Sequence, residues 1–204
     1  MRNVSNKYET VEHIIRKLSD VDTAIEHRAA RVTFKKDKKG KNLLKELARM
    51  PHVKHLIINH LGLTQLPPLP STLISLDCTS NFLTELPTLP STLKNLACSH
   101  NPSLTQLPTL PSSLVYLSCG FDALTRLPEL PHTLKTLDCG VNKLTQLPAL
   151  PPALRVLLCY VNKLTELPTL PATLEALDCS LNLLTKLPKL PRTLKYLHSK
   201  GNPL

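Results

Sequence analysis

The stretch "LDCTSNFLTELPTLPSTLKNLACSHN", from Leu76 to Asn101, states one unit twice. Each statement runs L-x-C-x-x-N, then L-T-x-L-P-x-L-P, then L-x-x-L and the next cysteine. Read outward in both directions, the cysteines fall at Cys78, Cys98, Cys119, Cys139, Cys159 and Cys179, spaced 20, 21, 20, 20 and 20 residues apart. Ser199 takes the slot in the last copy. Three residues after the slot stand Asn81, Asn101, Asn142, Asn162, Asn182 and Asn202, with Asp122 once in their place. A degenerate copy, "HLIINHLGLTQLPPLP" (His55 to Pro70), puts Ile58 in the cysteine slot and Leu61 in the asparagine slot. Eight copies therefore run from about Val53 to Leu204. A fixed period near twenty residues indicates a solenoid, in which each coil buries its apolar side against the next.

The unit L-x-x-L-x-C-x-x-N-x-L is the leucine-rich repeat pattern with cysteine in the place of the third leucine. Around L-x-C the chain is expected to form a short strand with alternate residues on opposite faces. Leu76 and Cys78 then point inward, and Ser75, Asp77 and Thr79 point outward. Stacked copies join these strands into a parallel sheet. The asparagine amide suits the turn that follows, since it both donates to and accepts from buried backbone. An ionised Asp122 cannot donate, so that rung should differ; the copy before it also carries one extra residue in "NPSLT" (Asn101 to Thr105). The paired prolines of "LPTLP" (Leu86 to Pro90) fix φ, lack an N–H and push the preceding residue out of the helical region. The return arm is therefore expected to be extended or polyproline-II-like. The fold class is a leucine-rich repeat solenoid: a short parallel β-sheet on the concave face, an extended convex arm and a helical N-terminal cap.

The cap is read over residues 1–50 and the solenoid over 51–204. "YETVEHIIRKLSDVDTAIEHR" (Tyr8 to Arg28) spaces Val11, Ile14, Ile15, Leu18, Val21 and Ile25 as a helix would. "ARVTF" (Ala30 to Phe34) reads as a strand, "KKDKKGK" (Lys35 to Lys41) as an exposed loop, and "NLLKELARMP" (Asn42 to Pro51) as a second helix stopped by its proline. The segment from Ala30 to Ile58 is also readable as a longer, atypical first repeat.

The cysteines read as packing. Free cysteine is a small, soft, strongly buried residue. No C-x-x-C occurs, no histidine accompanies the slot, and six equal thiols in line do not make a four-ligand metal site. Unpaired thiols suit a reducing compartment. No run of eighteen apolar residues is present, and the N-terminus shows no apolar signal-peptide core. The net charge of +10 divides as +6 over residues 1–50 and +4 over the repeats. The Lys35–Lys41 run is expected to be a solvated loop; weak binding to an anionic lipid or nucleic-acid surface is the other reading. No catalytic constellation, phosphate-binding glycine loop, cofactor motif or metal site is expected, and the chain is read as non-enzymatic.

The "LPxLPxxLxxL" and "NxLTxLP" unit, over about Val53 to Leu204, resembles the short bacterial leucine-rich repeats of secreted pathogen effectors, the YopM-like and IpaH-like class. That resemblance implies delivery without a cleaved signal into a host cell's cytoplasm, and binding of host proteins through the solenoid. It departs from the class in its cysteine slot. IpaH-like ligases also carry a large C-terminal helical domain with the catalytic cysteine, whereas this sequence ends at "GNPL". The recognition half of a ubiquitin ligase is thus one alternative, and a membrane or nucleic-acid binder using the basic cap is another.

The outward strand positions are free to vary and are where a partner would read the surface. Val156, Leu158 and Tyr160 place three apolar residues on one rung; Tyr116 and Tyr196 lie two rungs to either side. Asp138, Asp178 and His198 share a column with Leu158. These eight residues are the expected protein-binding set, since exposed apolar clusters with polar rims mark protein contacts and tyrosine is a frequent anchor.

Overall fold

The computed structural model describes residues 12–15, 30–35 and 47–204. Ten strands make one parallel sheet in simple sequence order: β1 (Glu12–Ile15), β2 (Arg31–Phe34), β3 (His55–Ile57), β4 (Ser75–Asp77), β5 (Asn95–Ala97), β6 (Tyr116–Ser118), β7 (Thr136–Asp138), β8 (Val156–Leu158), β9 (Ala176–Asp178) and β10 (Tyr196–His198). From β3 to β10 there is one strand per copy, and the register never slips: His55, Ser75, Asn95, Tyr116, Thr136, Val156, Ala176 and Tyr196 form one row. A one-residue slip would turn every inward leucine to solvent, so burial pins the register.

The strand centres, from Leu56 to Leu177, are buried, and so are the six cysteines, each 0% exposed. All six belong to the leucine core, and the sulfurs of Cys78 and Cys179 point at the carbonyls of Ala97 and His198, 3.5 Å away. Burial raises each thiol well above its ordinary pKa, with Cys179, nearest the last coil, the least affected at about 11. Protonated, apolar-lined thiols are poor nucleophiles and poor ligands.

Two polar ladders satisfy the backbone of the turns. In the first, each asparagine amide donates to the carbonyl of its own slot and that of the slot before. Asn182 Nδ2 reaches Cys179 O at 3.1 Å and Cys159 O at 2.9 Å, and its Oδ1 accepts from Leu164 N at 3.0 Å. In the second, Thr72, Thr92, Ser113, Thr133, Thr173 and Thr193 each donate to two carbonyls of the preceding coil at 2.6–3.0 Å. Ala153 holds that position in the eighth strand's copy and leaves a gap. The proline-paired return arm contains no helix anywhere between residues 51 and 204, as the proline chemistry requires.

The asparagine ladder does break at Asp122. The extra residue before it closes a turn in which Leu104 N donates to Asn101 O at 2.8 Å. Asp122 Oδ1 accepts instead from Asn101 N at 2.6 Å, and Oδ2 is buried without a partner. Burial raises its pKa to about 8.

Towards the N-terminus, the described residues 30–35 and 47–58 extend the same sheet and core: β2 pairs with β3, and Val32, Phe34, Leu47, Met50 and Val53 are buried with the leucines of the repeats. The helical reading of Tyr8–Arg28 is corrected over Glu12–Ile15, which form β1 beside β2. Two adjacent isoleucines suit a strand, and the open edge of β2 offers backbone partners that local periodicity ignores. The rest of that stretch lies outside the described residues, as do Lys36–Lys41 of the basic run and residues 42–46 of the expected second helix. Leu47–Arg49 form a single turn of 3₁₀ helix.

Candidate functional site

The outward face of the sheet is built from three columns. The first is the His55-to-Tyr196 row. The second, Ile57, Asp77, Ala97, Ser118, Asp138, Leu158, Asp178 and His198, follows from the same pairings. The third lies two residues further on and contains Ser99, Gly120, Gly140, Tyr160 and Ser180. Strand alternation turns these columns outward, though Ser99, Ser118, Gly120 and Gly140 are covered by their neighbours, while the strand-centre leucines from Leu56 to Leu177 stay buried.

All eight residues expected from the sequence lie on this face, at β6 to β10. Tyr116, Val156 and Tyr196 share the first column but do not touch: Thr136 and Ala176 sit between them. The two tyrosines are open to solvent, at 38% and 69%. In the second column Leu158 stands directly between Asp138 and Asp178, with His198 beyond. Val156, Leu158 and Tyr160 are only partly exposed, so they form a shallow floor and not a projecting knob.

Tyr160 explains the floor. A Cβ on Gly140 would lie 2.4 Å from Tyr160 Cε1, so the ring lies flat across the neighbouring rung where only glycine leaves room. Gly120 has a Cβ position 3.3 Å from Asp138 Oδ1, so the carboxylate likewise leans over a glycine. Burial, and then the charges of Asp138 and Asp178, raise the phenol of Tyr160 above its ordinary pKa. Burial also raises the carboxyl of Asp138, against the pull of hydrogen bonds from Gly140 N and the Ser118 hydroxyl and of His100.

The carboxylates are committed locally. Each Oδ1 caps the amide two residues on: Asp77 to Thr79, Asp138 to Gly140 and Asp178 to Ser180, at 3.0–3.1 Å. Asp178 also accepts from Ser180 Oγ at 2.6 Å and lies 3.7 Å from His198 Nδ1. Among the described residues no three histidine, cysteine or acidic side chains converge as a metal site would need. What the face offers is an apolar, aromatic floor ruled by fixed acceptors, a surface chemistry of recognition.

Two features of this face escape a residue-by-residue reading. One is the Gly140–Tyr160 pair, whose signal was two of the chain's five glycines in the column of Tyr160. The other lies at the rim: the residue before the asparagine slot, held by Leu61 and Asp122 on two coils, adopts left-handed backbone on every coil from His60 to Leu181.

The fold has counterparts among solved structures. YopM from Yersinia enterocolitica superposes with a TM-score of 0.75 at 36% identity, over 85% of this chain and 37% of that one. YopM from Yersinia pestis, a leucine-rich effector protein, does so with a TM-score of 0.64 at 36% identity, over 71% and 48%. A Shigella effector leucine-rich repeat domain matches with a TM-score of 0.71 at 35% identity, over 79% of this chain and 74% of that domain. The chain thus spans less than half the length of either YopM. No family model and no curated protein matches it.

Proposed function

The chain belongs to the YopM-like and IpaH-like family of bacterial leucine-rich repeat proteins, and from that premise we propose that it is a non-enzymatic scaffold that binds host proteins through its concave strand face. The observation that carries this reading is the floor at β7 to β9. Leu158 and Tyr160 are partly exposed apolar residues on a face whose fold needs only the inward leucines, cysteines and asparagines. A hydrophobic centre rimmed by Asp138, Asp178 and His198 has the anatomy of a protein contact, with an apolar core and a polar edge. Two of the matched structures are effector proteins or parts of them by description, which supports delivery into a host cell and protein partners there. No described helix is long and apolar enough to cross a membrane.

The test is capture from host-cell lysate by wild type and two double variants. Leu158→Thr with Tyr160→Ser keeps strand-compatible residues and adds no charge beside the two aspartates. It is expected to melt near wild type and to lose the captured partner. Thr169 and Lys189 are exposed on the return arm; changing both to alanine should alter neither property. Loss of capture from the return-arm variant alone would refute the assignment of the strand face.

A further inference from the structure

From β3 to β10 every coil leaves the sheet through one residue of left-handed backbone: His60, Ser80, His100, Phe121, Val141, Val161 and Leu181, at φ of 51° to 58°, and finally Gly201 at 76°. Glycine adopts this conformation freely and histidine tolerates it, but a β-branched valine there is a strained outlier. Strain persists where something else selects it. Burial does not: Phe121, Val161 and Leu181 are 42%, 37% and 59% exposed, and Val141 is only partly covered.

The four apolar residues are consecutive and aligned. Their amides donate to the next coil at 2.8–2.9 Å: Phe121 to Gly140 O, Val141 to Tyr160 O, Val161 to Ser180 O and Leu181 to Lys200 O. They therefore form a ridge along the rim with a repeat of about 4.8 Å. Phe121 extends it by stacking on His100, ring centroids 4.3 Å apart. At the other end Leu181 lies over Gly201, where a Cβ would meet its Cδ2 at 2.6 Å. Two residues on from Val141 and Val161 stand Lys143 and Lys163, both exposed. The carboxylates that form ion pairs among the described residues bind Arg155, Lys195 and His198, and neither of these lysines.

We propose that the ridge Phe121–Val141–Val161–Leu181 seats an amphipathic helix of a partner protein, laid along the solenoid axis, with acidic residues against Lys143 and Lys163. This rests on the protein-binding reading above but uses the rim and not the strand columns. Spacing selects a helix. Side chains on one face of a helix recur every turn, about 5.4 Å, so three intervals depart from the ridge's repeat by roughly 2 Å. Same-face residues of an extended chain recur about every 6.7 Å and depart by roughly 6 Å, beyond the width of a side chain. Charge selects an acidic flank, because the two lysines otherwise lose water to an uncompensated contact.

The probe is a stapled helical peptide with leucines at i, i+4, i+7 and i+11 flanked by glutamates, and a second peptide with lysines in place of the glutamates. Binding to the full chain is read by fluorescence anisotropy. Val141→Asn with Val161→Asn suits left-handed backbone, so the variant should melt at or above wild type while binding the acidic peptide about tenfold more weakly, as loss of anchor side chains predicts. Lys143→Glu with Lys163→Glu should exchange the preference to the basic peptide. Equal binding of both peptides by wild type, no binding of either, or undiminished binding by the asparagine variant would each overturn the proposal. Binding to phosphatidylserine vesicles with none to the peptides would overturn it too, and make the ridge a membrane contact. Loss of peptide on Leu158→Thr with Tyr160→Ser but not on the asparagine variant would remove the ridge and leave the strand-face reading standing.

Discussion

Asp122 stands where six other coils have asparagine, and its cost is a buried oxygen with no partner. The folded chain holds its proton up to about pH 8, whereas an unfolded aspartate releases it near 3.8. A raised folded pKa means that the native state binds the proton more tightly. Stability contributed by this group is thus full below pH 4 and falls as pH rises toward 8. Asp122→Asn removes the charge that must be buried. The variant should lie nearest wild type near pH 4 and gain on it progressively to pH 8, by about 1–3 kcal/mol, the linkage cost of the raised carboxyl pKa discounted for its partial exposure. Thermal melts of both proteins across that range check this. The cysteine slot makes a second test at this scale. Cys139→Val keeps an apolar residue of similar size and should cost less than about 1.5 kcal/mol. Cys139→Asp buries an unpaired charge and should cost about 4 kcal/mol or more. Indistinguishable melting curves would mean that the slot does not face inward. Both residues were legible in sequence because a repeat exposes its own exceptions. The pairing of Asp122 with Asn101 N was not, since it depends on how the inserted residue of "NPSLT" folds its turn.

Among the elements, each coil was readable from its own twenty residues, and the ladders between coils were only half readable. The asparagine role follows from amide chemistry. The hydroxyl ladder at Thr72 to Thr193 does not, because a threonine or serine after a turn has many uses and its two acceptors lie on another coil. Ala153 is the gap in that ladder. By the spacing of Thr173, which donates to Pro152 O and Leu154 O, a hydroxyl at 153 would face the carbonyls of His132 and Leu134. Ala153→Thr should therefore stabilise the protein by about 0.5–1.5 kcal/mol, one to two ordinary hydrogen bonds less the side-chain entropy. Denaturant midpoints of the pair measure it, and a destabilised variant would contradict the ladder. The segment around Glu12–Ile15 shows where periodicity misleads. Val11, Ile14, Ile15 and Leu18 fit a helical stripe, but a short apolar run fits a strand as well, and the free edge of β2 decides between them.

At the scale of the whole molecule, ten parallel strands turn variable positions on separate coils into one continuous face. That the eight expected residues share this face was legible from register alone, since the period fixes which positions point outward. Their depth was not. Tyr160 lies flat because Gly140 leaves room beneath it, and that contact joins residues twenty apart. The left-handed rim was hidden for a similar reason: backbone φ is set by the turn into the return arm, not by the preference of valine or leucine. The most direct test of the account places a photo-crosslinking phenylalanine derivative at Tyr160, and separately at Lys189 on the return arm, and irradiates each protein in host-cell lysate. The strand-face assignment predicts a discrete protein adduct from position 160 and none from position 189. An adduct from position 189 with none from position 160 would contradict it.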